Sequence, residues 1–186
     1  LLGLREFAVY ADVSPFREVA LAAAASLGAV GDNGLLITPR YGSFAFLGVL
    51  CGDMPTDRTP RDAEVCLHCG ACRAACSGAL GDMFCEQRCL SHLTQTRGAL
   101  DEAQRALIAN ADTLWGCDLC QLCCPMNEKA EKTALPEFLQ ELYLDLPDDV
   151  CALSDRAFRK KYADRAFSWR GNGPLRRNLS LRETGI

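Results

Sequence analysis

The segment Cys66-Leu-His-Cys69-Gly-Ala-Cys72-Arg-Ala-Ala-Cys76 constrains this chain more than any other stretch. Three thiols, each two residues from the next, let the intervening backbone wrap one face of an iron–sulfur cubane. The fourth follows three residues later on a departing helix and points toward a second cluster. This is the spacing of two-cluster bacterial ferredoxins, with Ser77 where a Pro usually follows. A second run, Cys117-x2-Cys120-x3-Cys124-Pro125, repeats the end of the pattern without its first cysteine, and Cys89 upstream is the candidate for it. The ligation expected is crossed. Cys66, Cys69, Cys72 and Cys124 hold one [4Fe–4S] cluster, and Cys76, Cys89, Cys117 and Cys120 the other. Crossing places the two clusters close together, which suits electron transfer between them. Cys123 offers another end to the second run; Pro125 and the x3 spacing that mirrors Cys72 to Cys76 favour Cys124.

Zinc is the competing metal, but it takes four tetrahedral ligands, typically as two separated pairs, and three cysteines at successive x2 spacing suit it poorly. Disulfides compete less. Ten of the twelve cysteines lie between Cys66 and Cys124, and the start, Leu-Leu-Gly-Leu-Arg-Glu, has no features of an export signal. A reducing, cytoplasmic compartment is expected, where thiols serve metals. Position 1 is not Met, so the chain is processed, trimmed or a fragment. Of the remaining cysteines, Cys51 and Cys151 read as small core residues and Cys85 as a helix neighbour of Cys89. His68 and His92 stand near the ligands, in positions to tune a cluster by hydrogen bonding or as ordinary loop and helix residues.

With 186 residues, 49% apolar and 24% charged, the chain can bury a core in one domain or two small ones. Its longest apolar stretches, Val19–Val30 and Phe44–Cys51, are too short to span a bilayer, so no membrane partner is expected. The net charge of −4 argues against a general nucleic-acid coat protein but hides an asymmetry. Residues 155–186 carry nine basic side chains against three acidic ones. Arg159, Lys160, Lys161, Arg170, Arg176 and Arg177 are interleaved there with Tyr162, Phe167 and Trp169. That pattern fits phosphate contacts with stacking on unpaired bases, or a solvated face whose aromatics pack inward.

Glu6–Ala11 reads as a strand, and Ser14-Pro15 as the cap of an Ala-rich helix over Phe16–Leu27 that ends at Gly28. Leu35–Thr38 and Ser43–Leu50 read as strands joined by the turn Pro39-Arg40-Tyr41-Gly42. Met54–Arg61 reads as a linker, and Asp101–Asn110 as a helical insert between the cysteine runs. Pro136–Leu144 and Ser154–Tyr162 read as amphipathic helices, the second capped by Ser154.

Taken together these segments resemble the bacterial epoxyqueuosine reductases, cobalamin-dependent two-cluster enzymes of queuosine-tRNA biosynthesis. The resemblance rests on DVSPFREVALAAAASLGAVGDNGLLITPRYGSFAFLGVL (12–50), the cluster run from Cys66 and RCLSHLTQT (88–96). It continues through WGCDLCQLCCPMN (115–127) and the tail with PLRRNL. It implies an α+β chain: residues 1–60 as the C-terminal part of a cobalamin-binding α/β domain, 61–128 as a ferredoxin-like double-cluster domain, and 129–186 as a basic helical tail. It also implies that electrons pass through the clusters to cobalamin, and that the Asp of a D-x-x-P motif, here Asp12, protonates the epoxide oxygen. A carboxylic acid there would lower the barrier for a developing alkoxide; otherwise Asp12 would cap the following helix. Asn33 and the turn with Tyr41, Gly42 and Ser43 would lie near corrin and substrate. Expected partners are tRNA, through the basic tail, and an electron donor such as a flavodoxin or ferredoxin, with the chain a monomer. The alternative is a non-catalytic two-cluster module that only carries electrons.

Overall fold

The computed structural model of the chain describes residues 5–53, 65–139 and 149–184, so the linker expected at Met54–Arg61 lies outside the described residues. Helices and short strands are mixed, as an α+β chain requires. Cα packing divides the chain into two units, Leu1–Ala75 with Cys120–Thr133, and Cys76–Leu119 with Ala134–Ile186. The cysteine segment contributes to both. Among the described residues no helix is long and apolar enough to cross a membrane.

In the first unit, β1 (Phe7–Ala11) pairs antiparallel with β4 (Gly48–Gly52), Val9 lying opposite Leu50. The Ala-rich helix α1 is shorter than its composition suggests, Glu18–Ala24. Ser14 does not cap it; its Oγ accepts from the Phe16 N–H at 3.0 Å in a local turn, a known competitor of helix start for Ser. At the other end Ser26 adopts φ 60, and the Leu27 N–H reaches the Ala22 carbonyl at 3.0 Å, a Schellman-type stop two residues before Gly28. Gly28 is needed for closeness instead, because a Cβ there would sit 2.1 Å from the Ile37 carbonyl oxygen.

The expected hairpin is also redrawn. β3 (Leu36–Ile37) pairs with β2 (Ala29–Val30), and the following turn closes through Thr38 and Gly42 without a ladder beyond it. Ser43 cannot extend a strand, since its N–H is given to Asn127 Oδ1 at 2.7 Å. Leu36 and Ile37 are the buried centre of this unit with Ala22 and Val65.

The second unit is helical. α2 (Ala71–Ala75) ends the first unit's cysteine loop, and α3 (Leu90–Gln95) and α4 (Glu102–Ala109) follow in the second. Asp101 and Gln104 close a capping box on α4, the insert that the sequence placed there. Leu93, Leu100 and Ile108 bury together with Leu107 and Leu181. After the short α5 (Leu119–Leu122), α6 (Asp155–Lys161) is capped by Ser154 as expected, and α7 (Gly173–Thr184) completes the chain. Val150, Phe158, Tyr162 and Leu175 form the second buried cluster, with Trp115 and Phe167 against it. The helix expected at Pro136–Leu144 is represented by one 3-10 turn, Pro136–Phe138, before residues outside the described set. Cys51 and Cys151 are half-buried rather than core.

Candidate functional site

In the first unit, Cys66, Cys69, Cys72 and Cys124 line one pocket of about 340 Å3, its open mouth included, together with Asp32 and Asn33. The loop around Cys69 brings this about through two left-handed residues, His68 at φ 48 and Gly70 at φ 75, which curl the backbone between the first thiols. Cys124 is brought in by a polar network. Asn127 accepts from the Ser43 N–H and donates to Ser43 Oγ at 3.0 Å and to the Gln121 carbonyl at 2.7 Å, while Ser43 Oγ donates to Gln121 Oε1 at 3.1 Å. Gly42, at φ 59, makes room for it; a Cβ there would lie 1.9 Å from Asn127 Oδ1.

The thiols surround a space instead of meeting at a point. A tetrahedral zinc with Zn–S near 2.3 Å would hold its sulfurs about 3.8 Å apart. Among the described residues no three cysteine sulfurs lie within 4.8 Å of one another. Four cysteines around a pocket fit a [4Fe–4S] cubane, whose irons carry the ligands apart. Burial pushes the Cys72 thiol up, with Asp32, Cys123 and Cys66 adding to it and a backbone hydrogen bond at Arg73 opposing it. Metal loading must therefore release protons.

In the second unit, burial pushes the Cys117 thiol up, and the nearby Cys89, Asp118 and Cys76 raise it further against a lowering backbone hydrogen bond at Leu119. Cys76 and Cys89, two further thiols expected at the second centre, thus lie near enough to Cys117 to act on it. Cys120, the fourth, is assigned to the first unit. Cys117 is fixed from behind. Thr94 is fully buried, its Oγ1 accepts from the Gly116 N–H at 3.0 Å, and its carbonyl accepts from Asn178 Nδ2 at 2.8 Å. Cys85 donates only a weak contact to Gln87 Oε1 at 3.8 Å, and His92 pairs with Glu86 at 2.9 Å.

Asp12 sits immediately after β1 at φ 65, in a three-residue turn closed by the Val13 N–H on the Ala11 carbonyl at 2.7 Å. Such a turn is rare and strained, and strain of this kind concentrates at functional sites. Asp12 lines an open cavity with Glu18, Leu36, Ser43 and Phe46. It does not cap α1, whose N-cap is Arg17 with no side-chain bond.

Of the residues expected near corrin and substrate, Tyr41, Gly42 and Ser43 are consecutive in the turn after β3, and Asn33 lies in the β2–β3 connection. Ser43 borders the Asp12 cavity, Asn33 turns to the cysteine pocket, Gly42 abuts Asn127, and Tyr41 is 41% exposed beneath the Arg40 guanidinium.

Much of the basic tail is structural. Arg177 is half-buried and donates to the carbonyls of Thr96 and Leu93 at 2.6 and 2.9 Å, closing the C-terminal end of α3. Burial draws its pKa down. Tyr162 is buried and donates to Asp149 at 2.7 Å, Lys161 pairs with the same carboxylate, and Arg176 donates to the Leu153 carbonyl. Arg159 and Lys160 are exposed on α6, and Arg170 stacks 3.8 Å from the exposed Trp169 ring.

Comparison with known proteins places these features. No protein-family model matches the chain. An epoxyqueuosine reductase of Listeria monocytogenes is 37% identical over 175 residues, 91% of this chain and 46% of that protein. One of Lactococcus garvieae is 36% identical over 187 residues, 96% of this chain and 52% of that protein. The chain is a relative of the epoxyqueuosine reductases. It spans about half the length of the curated relatives it matches. Solved reductase structures share its fold. A selenomethionine-labelled epoxyqueuosine reductase superposes with a TM-score of 0.84 at 30% identity, covering 97% of this chain and 49% of that one. An epoxyqueuosine reductase bound to an epoxyqueuosine-modified tRNA-Tyr stem loop superposes with 0.83 at 31% identity, covering 97% and 49%.

Sequence alone left two contributors unassigned: the Gln121–Asn127 network beside the Cys66–Cys124 pocket, and Asn178 behind Thr94 in the second unit. Gln121 stands inside the second cysteine run, Asn127 two residues past Pro125 and Asn178 inside PLRRNL, so the signal was a polar residue in or beside a cysteine-rich or basic motif.

Proposed function

We propose that this chain is the cluster-bearing part of an iron–sulfur, cobalamin-dependent reductase that converts the epoxide of epoxyqueuosine in tRNA to queuosine. The observation that carries this is the four-cysteine pocket of Cys66, Cys69, Cys72 and Cys124, in a chain whose relatives bear that enzyme's name. Cys76, Cys89, Cys117 and Cys120 hold the second cluster. When bound, the clusters supply one-electron carriers and the cobalamin supplies the reducing metal.

The protein's own part is protonic and positional. Removing an epoxide oxygen as water consumes two electrons and two protons, and charge develops on that oxygen as the ring opens. Asp12, held in its strained turn at the cavity wall, donates the proton there. Leu36 and Phe46 add apolar surface to the wall of that cavity. Exposed basic groups of the tail, Arg159 and Lys160 among them, with the exposed Trp169 ring, would meet tRNA phosphates and bases. An electron donor of flavodoxin or ferredoxin type feeds the clusters, in the cytoplasm.

The alternative is a two-cluster electron-transfer module without catalysis. Anaerobic reconstitution followed by iron counting and a cobalamin titration separates the two. About eight irons with a shifted corrin spectrum support the reductase. Eight irons with an unchanged spectrum support the module. Given corrin binding, Asp12→Ala abolishes turnover of an epoxyqueuosine stem loop while leaving iron content intact; retained turnover removes Asp12 from the acid role.

A further inference from the structure

The pocket for the first cluster contains one ionisable side chain that is not a thiol. Asp32 lines it beside Cys66, Cys69, Cys72 and Cys124, and its carboxylate oxygen lies within 4.8 Å of Cys66 Sγ and of a His68 ring nitrogen. The carboxylate is held there. His68 Nδ1 and Asp32 Oδ1 are 2.8 Å apart, and since a carboxylate only accepts, the imidazole N–H donates. His68 stands at φ 48 between two cysteines, so a strained residue of the cysteine loop anchors an acidic residue from the β2–β3 connection. The Asp32 side chain is 23% exposed, leaving its charge partly shielded from water.

A cubane held by four thiolates already carries net negative charge. Reduction takes up one electron, oxidises an external donor by one electron, and adds a further negative charge to the cluster. A fixed carboxylate a few ångströms from a ligand sulfur repels the reduced state more than the oxidised one. We propose that Asp32, anchored by His68, is a potential-setting residue of the first centre, holding that cluster at a lower reduction potential than its four cysteines alone would. This rests on the cluster assignment made above. It extends that assignment to a residue that binds no iron, and to the direction of electron flow, because a lower potential makes the first centre the stronger donor.

The test is an EPR-monitored potentiometric titration of the reconstituted full chain, with dithionite as reductant and redox mediators. Cys124→Ser identifies which of the two reduction waves belongs to the first centre. Asp32→Asn keeps size and the hydrogen-bond acceptor for His68 but removes the charge. At a fixed potential it raises the reduced-to-oxidised ratio of that wave about tenfold, about 59 mV for a one-electron couple. Asp32→Lys moves it further in the same direction, and the other wave stays in place. Two waves with an unmoved first centre in both variants, or equal movement of both waves, overturn the role of Asp32 and leave the clusters standing. A wild-type chain with no iron at Cys124 overturns the cluster assignment itself.

Discussion

Asn178 is the residue on which the second unit's stability and its cysteines most directly depend. It is fully buried, and all its polar atoms are used. Its Nδ2 donates to the carbonyls of Thr94 at 2.8 Å and Leu114 at 2.9 Å, and its Oδ1 accepts from Arg177 Nε and Nη2 at 3.0 and 2.8 Å. Asn178→Ala strands two buried carbonyls, while the guanidinium keeps Thr96 and Leu93 as acceptors. At about 1–3 kcal/mol for each orphaned group, the expected loss is about 3–5 kcal/mol. Asn178→Asp is the sharper control. It restores a strong acceptor for Arg177 but points a carboxylate at two carbonyls, so it costs at least as much as alanine if the donated bonds matter. Both tryptophans, Trp115 and Trp169, lie in this unit, so urea unfolding followed by tryptophan fluorescence reads it directly. Because Thr94 also receives the Gly116 N–H beside Cys117, the variant should lose second-centre iron before first-centre iron. A destabilisation below about 1 kcal/mol for Asn178→Ala, or an Asn178→Asp chain as stable as the wild type, would refute this account.

Three further outcomes are expected. Gly42→Ala forces a side chain into a left-handed position and against Asn127, costing about 2–4 kcal/mol, and iron analysis should show the first centre depleted. Cys124→Ser lowers iron from about eight to about four per chain, whereas Cys123→Ser leaves it near eight; the reverse would assign the ligand to Cys123. Hydrogen bonds from Lys161 first, and then Tyr162, hold the Asp149 carboxyl below its usual range. A depressed carboxylate stabilises the fold above its unfolded pKa, near 4, and that contribution is lost as pH falls through the lower folded value. Urea midpoints measured on the acid side should therefore fall with pH in the wild type and change less in Asp149→Asn.

The grouping of Cys66, Cys69 and Cys72 was legible because their spacing is local. Spacings of two and three residues put Cys66, Cys69 and Cys72 in one loop, and the pocket they line also takes in Cys124, which the Asn127–Ser43 contacts bring there. Local capping chemistry was legible for the same reason at Ser154, which accepts from Ala157, and in the helical insert that begins after Asp101. At Ser14 the same chemistry pointed the wrong way, since that hydroxyl closes a turn and the helix waits until Glu18. A cap and a turn use identical bonds from Ser, and only the path of the chain out of β1 chooses between them.

The long-range choices needed the tertiary structure. β4 takes β1 as its partner, forty or so residues away, because Ser43 is bound to Asn127 and cannot continue a hairpin. Arg177, read as a contact for nucleic acid, closes a helix end, and Asn178 beside it supports the backbone leading to Cys117. Composition cannot separate a basic residue that faces solvent from one that satisfies buried carbonyls, because the partners are backbone atoms distant in sequence. The clustering of the thiols that the proposed iron–sulfur chemistry needs is written in their spacing. What tunes and supports that chemistry, from Asp32 beside Cys66 to Asn178 behind Thr94, depends on groups made neighbours by folding.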